Sequence, residues 1–102
     1  IKSEIIALIN KLFTIPQVAS WFNSSNEVYN EQEIISKDGH FYIPDKVITK
    51  GLNAIVVDYK TGKPSERHAL QIIEYGDLLG EMGYTYVEKY LLYINNLKIV
   101  SV

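Results

Sequence analysis

Apolar and polar positions follow two rhythms along the chain, and the switches between them mark the elements. Residues 3 to 14, SEIIALINKLFT, place Ile5, Leu8, Ile9 and Leu12 three and four apart, the spacing of one helical face, with Ser3 as a cap. Pro16 suits the first turn of a second short helix, PQVASWFN. Thr14 is its candidate cap, and Val18, Trp21 and Phe22 lie on its buried side, with the aromatic pair read as core. Ser24, Ser25 and Asn26 end that helix. The rhythm then turns to strands: residues 27 to 37, an Asp38-Gly39 hairpin turn, and about residues 40 to 49. Pro44 cannot donate to a ladder, so an edge position, an irregularity or a bulge is expected there. Residues 53 to 59, NAIVVDY, are apolar on both faces and predict a strand covered on both sides.

After a loop at residues 60 to 64, residues 65 to 82 form the longest predicted helix, with Ser65 or Thr61 as its cap. Leu70, Ile72, Ile73, Leu78, Leu79 and Met82 supply a broad apolar face. Gly76 suits a close approach to the sheet, and Gly83 is a natural C′ residue. Strands follow at 86 to 94 and, after Asn95-Asn96, at 97 to 102, the last an edge. Two helices, three strands, a helix and two strands predict a single α+β domain over residues 1 to 102. Its mixed sheet carries flanking helices, and a helical crossover leads to the fourth strand.

Three ionisable groups interrupt the apolar strands. Asp58 and Lys60 are two apart and leave the same face. A four-residue loop at 50 to 53 would set Thr49 opposite Ala54, and by the same register Asp45 opposite Asp58. Directly opposed side chains lie roughly 5 Å apart at Cβ, and like charges so placed destabilise a sheet. Two readings fit. One is a site for a hard divalent cation, with lysine beside it to position water or neutralise a developing oxyanion. The other is a structural salt bridge from Lys60 to one aspartate, with the second aspartate near a strand end.

Composition narrows the chemistry. There is no cysteine, so disulfides and thiolate zinc sites are excluded, and two histidines, His40 and His68, cannot build a His-rich metal centre. No apolar run approaches the roughly 20 residues that span a bilayer, and no signal segment is visible, so a cytoplasmic location is expected. A net charge of −2 speaks weakly against a free-standing nucleic-acid binder, though not against an enzyme that meets nucleic acid through metal ions. Residue 1 is Ile, which suggests part of a larger protein.

His68, Gln71 and Tyr75 share one face of the long helix. That face is either a solvated flank or, because the helix starts five residues after Lys60, a wall of the site. The helix N-terminus, with Lys63 and Arg67, can receive phosphate oxygens. Thr61-Gly62-Lys63 lacks the spacing of a phosphate-binding loop, and Pro64 follows the lysine.

Together, IPDKV, VVDYKTG and HALQIIEY resemble the motifs of the PD-(D/E)XK nuclease superfamily, and most closely the RecB-like nuclease domain of AddA, AddB and UvrD/PcrA-type recombination helicases. The segments around PQVASWF and VYNEQEII, and GY with LLYI, extend the resemblance over nearly the whole chain. It implies a restriction-endonuclease-like αβββαβ core and Mg²⁺- or Mn²⁺-dependent hydrolysis of DNA. It also implies a helicase domain in the same chain or in a partner subunit. Asp45 and Asp58 match the metal ligands and Lys60 the residue that orients or activates water. Gln71 and Tyr75 match the motif that shapes the site and contacts DNA, with His68 as a supporting residue. Glu31 resembles the strand glutamate, yet a two-residue turn at Asp38-Gly39 would put Lys46 opposite it and turn Glu31 away unless the Pro44 region bulges. RecB-like members usually add a histidine from an upstream helix, and residues 3 to 14 contain none. The alternative implied function is a nuclease-fold module without catalysis, structural or DNA-tracking in a helicase complex.

Overall fold

The computed structural model describes residues 11, 14–23, 25–31, 33–36 and 38–102. The helix expected over residues 3 to 14 lies almost wholly outside them. Among the described residues the fold is mixed α+β. Helix α1 is Pro16–Trp21 and helix α2 is Glu66–Glu81. The strands are β1 Glu27–Asn30, β2 Ile34–Ile35, β3 Phe41–Tyr42, β4 Lys46–Lys50, β5 Asn53–Lys60, β6 Tyr86–Tyr93 and β7 Lys98–Ser101. Five strands form one sheet in the order β1-β4-β5-β6-β7, and β2 with β3 forms a separate two-stranded ribbon. The β5–β6 pair is parallel and is joined through α2, while the other pairs are antiparallel. The helical crossover and the edge position of the last strand are as the sequence predicts.

Strand β5 is central because both its faces are apolar. Ala54 and Val56 point to the side covered by α2, where Ile72, Tyr75, Leu78, Leu79, Leu91 and Tyr93 complete a core. Val57 points to the other side, where Val18 and Trp21 of α1 pack with Ile48, Leu92 and Ile94. Trp21 stacks at a tilt on Tyr90, with ring centroids 5.2 Å apart, as a core residue. Asp58 and Lys60 continue the Ala54–Val56 row, so they emerge beneath α2.

Several expected boundaries move. The strand expected over 27 to 37 breaks at Glu31, whose φ is +49°, and the strand expected over 40 to 49 breaks at Pro44. Each break frees the outer ends to form the β2–β3 ribbon. The Asp38-Gly39 turn is wider than two residues: Ser36 N–H donates to His40 carbonyl oxygen, and Ile35 pairs with Phe41. This shifts the register by one, so Lys46 faces Asn30 rather than Glu31. The β4–β5 loop is shorter than expected, because Lys50 also pairs with Asn53; only Gly51 and Leu52 turn, with Gly51 at φ +60°. The Thr49–Ala54 pairing holds. Thr14 does not cap α1, since its hydroxyl donates back to Lys11 carbonyl oxygen at 2.6 Å.

Helix α2 begins at Ser65, whose hydroxyl accepts the Arg67 N–H at 3.2 Å, and satisfies one otherwise orphan donor. It ends in a Schellman motif: Tyr84 N–H donates to Leu79 oxygen, Gly83 N–H to Gly80 oxygen, and Gly83 has φ +112°. A side chain strains that backbone, so Gly83→Ala is expected to lower stability by about 1–2 kcal/mol. Denaturant melts check this, with the unfolding slope unchanged. The helix buries Ile72, Tyr75, Gly76, Leu78 and Leu79, whereas Leu70 and Met82 are exposed and Ile73 partly so, contrary to the expected apolar face. The close approach at Gly76 is as predicted: a Cβ there would meet Lys89 Cδ at 2.6 Å. No helix among the described residues is long and apolar enough to cross a membrane.

Candidate functional site

The site is built where the ladder between β4 and β5 runs out. Lys46–Val57 is its last pair, and the next opposed residues are Asp45 and Asp58. Pro44, fully buried, offers no N–H, and this helps end the ladder. The freed backbone groups are instead taken by the two carboxylates. Asp45 N–H donates to Asp58 Oδ1 at 3.0 Å, and Tyr59 N–H donates to Asp45 Oδ2 at 2.7 Å. Each aspartate thus caps the other's strand, and both carboxylates are fixed by main-chain donors.

Lys60 completes the row. Its ammonium lies 3.2 Å from Asp58 Oδ2 and donates to Gln71 Oε1 of α2 at 2.7 Å. The Asp58 side chain is 7% exposed and that of Lys60 19%, so solvent screens the pair little. Burial, opposed by the Tyr59 N–H and reinforced by the charge of Asp58, raises the Asp45 carboxyl above the usual aspartate range. Tyr75 is buried over the same region, and burial followed by the charges of Asp58 and Asp45 pushes its phenol up to about 12. Tyr59 is likewise at about 12, by burial and then Asp45. Both phenols therefore stay protonated at neutral pH.

Of the expected site residues, Asp45, Asp58, Lys60, Gln71 and Tyr75 come together. The face shared by His68, Gln71 and Tyr75 packs buried or half-buried against the sheet beside the two aspartates, and is not a solvated flank. His68 serves the site from one step away: its Nδ1 lies 3.1 Å from the Tyr93 hydroxyl, and Tyr93 is the register partner of Lys60 on β6. Two tethers, Lys60–Gln71 and Tyr93–His68, thus fasten the first half of α2 to the ends of β5 and β6. These are the carboxyl ends of the parallel pair, the usual place for ligands in open α/β sheets. Glu31 does reach the level of Asp45, donating its N–H to Asp45 oxygen at 3.0 Å, but it is exposed and does not join the two carboxylates as a third ligand.

Residues that the sequence did not single out hold the frame. Tyr59 supplies the main-chain donor to Asp45, and Tyr93 anchors His68. Lys46 bonds to Asn30 Oδ1 and sits over the rings of Phe22 and Tyr59, 5.4 and 6.0 Å from their centroids. The signal for Lys46 was its place directly after Asp45, on the opposite face.

Two hard carboxylates fit Mg²⁺ or Mn²⁺, ions that are commonly held by one or two carboxylates with waters and phosphate oxygens. Among the described residues no group of three His, Cys, Asp or Glu side chains is placed to hold a metal. No protein-family model matches the chain, and no curated protein matches it.

Proposed function

We propose that the chain is a restriction-endonuclease-like domain whose Asp45–Asp58 pair binds Mg²⁺ or Mn²⁺ and whose reaction is hydrolysis of a DNA phosphodiester. It would work with a helicase domain in the same chain or in a partner subunit. The observation that carries this reading is the second carboxylate. Lys60 needs one partner, and Asp58 provides it. Asp45 accepts the Tyr59 N–H but adds a like charge in a half-buried place, a cost to the apoprotein that a bound cation would offset. A bound divalent ion would supply charge neutralisation and an activated water.

The chain's own residues do the rest. Main-chain N–H groups of Asp45 and Tyr59 fix the two carboxylates in rotation. Asp58 and Gln71 take two of the three ammonium protons of Lys60, leaving one for an attacking water or a phosphate oxygen. Gln71, on a helix tied down by His68 and Tyr93, keeps that ammonium from swinging out to solvent.

A second reading is a nuclease fold without chemistry, structural or DNA-tracking within a helicase complex. Ligand count among the described residues favours it: two carboxylates stand together and no third joins them. Cleavage of end-labelled DNA in Mn²⁺ separates the two. Hydrolysis by the wild type, reduced about 10²- to 10⁴-fold in Lys60→Met, is the result expected of the first. No hydrolysis by the wild type, with no Mn²⁺ bound at Asp45 and Asp58, would put the second in its place.

A further inference from the structure

At the end of α2 away from Gln71, two recesses meet along the seam with the β2–β3 ribbon. One, of about 210 Å³, is apolar: Ile34 and Val47, each 5% exposed, form part of its lining, and Tyr29, Met82 and Tyr84 complete it beside Glu33. Met82 is 61% exposed, a large apolar side chain left uncovered. The other, of about 340 Å³, is lined by Asp38, Glu74, Asp77 and Glu81, with Ser36, Tyr42 and Leu78, and among the described residues no Lys or Arg lines it. Glu81 and Met82 are chain neighbours, and Tyr42 is the ladder partner of Ile34, so the recesses lie side by side.

The acids are costly where they stand. Glu74, Asp77 and Glu81 lie three and four residues apart on one helix, and the last turn has no basic residue to offset the dipole. Glu74 accepts from the Tyr42 hydroxyl at 2.8 Å, which brings no charge. Asp38 pairs with His40 at 3.0 Å, and that pair is ionic only when the histidine is protonated.

We propose that this seam docks a cationic segment of a partner protein that carries an apolar anchor. Its Lys or Arg side chains lie over Glu74, Asp77 and Glu81, and its anchor fits among Tyr29, Met82 and Tyr84. The carboxylates repel nucleic acid, so the surface takes protein even if the Asp45–Asp58 site works on DNA. The proposal does not depend on that site having any activity.

The test is fluorescence anisotropy with a labelled amphipathic peptide of Lys and Leu, alongside Glu-for-Lys and Ser-for-Leu versions. Binding of the Lys/Leu peptide is expected, weakened about 10-fold in the E74K/D77K/E81K protein and weakened further by salt. Met82→Glu should weaken it similarly, while E66K at the other end of α2 should leave it unchanged. Circular dichroism confirms that each variant folds; the altered side chains are exposed. No binding, equal binding of the Glu or Ser peptides, or equal binding by the triple variant would each overturn the proposal.

Discussion

Asp58→Ala is expected to abolish DNA cleavage in Mn²⁺ and to leave the domain folded. Asp58 links the two strands of the site: it accepts the Asp45 N–H and pairs with Lys60, which in turn binds Gln71. Its removal takes away one of two carboxylates and the anchor of the lysine together. The stability terms oppose each other. An unpaired N–H in a part-buried place costs about 1–3 kcal/mol, and the Lys60 ammonium loses its carboxylate partner in a little-screened place. Against this, loss of the Asp58 charge relieves Asp45, and Lys60 keeps Gln71. A folded, inactive protein is therefore predicted, checked by cleavage assay and a thermal melt on the same preparation. Full cleavage by a folded Asp58→Ala protein would remove the acid pair from the mechanism.

Asp45→Asn is expected to raise the melting temperature of the metal-free protein by several degrees at neutral pH while abolishing cleavage. Asn keeps an oxygen for the Tyr59 N–H and gains donors for Asp58. The pH dependence fixes the cause. Burial, and secondarily the Asp58 charge, raises the folded-state pKa of Asp45 above its unfolded value. The folded protein therefore holds this proton more tightly than the unfolded chain does. Ionised Asp45 then contributes a destabilisation that is absent below the unfolded value of about 3.9, grows as pH rises toward the folded value, and is complete above it. The advantage of Asp45→Asn should accordingly be present at pH 7 and vanish in acid. Equal advantage at both pH values would point to packing instead of charge.

The pairing that sets Asp45 opposite Asp58 was legible because the pattern of β5 is strict. Val56, Val57 and Asp58 lie in a run that only a strand covered on both faces explains, and the short β4–β5 loop preserves the predicted register whether two or four residues turn. Gly76 and Gly83 declared themselves through properties that belong to glycine alone. Less legible was everything set by interruption. The positive φ of Glu31 and the missing N–H of Pro44 split two expected strands into four, and no local pattern announces the ribbon they release. The apolar face of α2 was misplaced for a related reason. Leu70, Ile73 and Met82 are as hydrophobic as Ile72 and Leu79, and only the sheet's position decides which row is buried. That choice buries Tyr75, which aligns with Gln71 and His68. Hydropathy alone ranks a tyrosine below the leucine that stays outside.

Calorimetric titration of Mn²⁺ into the wild-type protein, Asp45→Asn and Asp58→Ala tests the central claim, that the opposed carboxylates form a cation site. Saturable binding in the wild type that is lost in both variants is the predicted result. Binding of equal strength in all three, or no binding in the wild type, would contradict it.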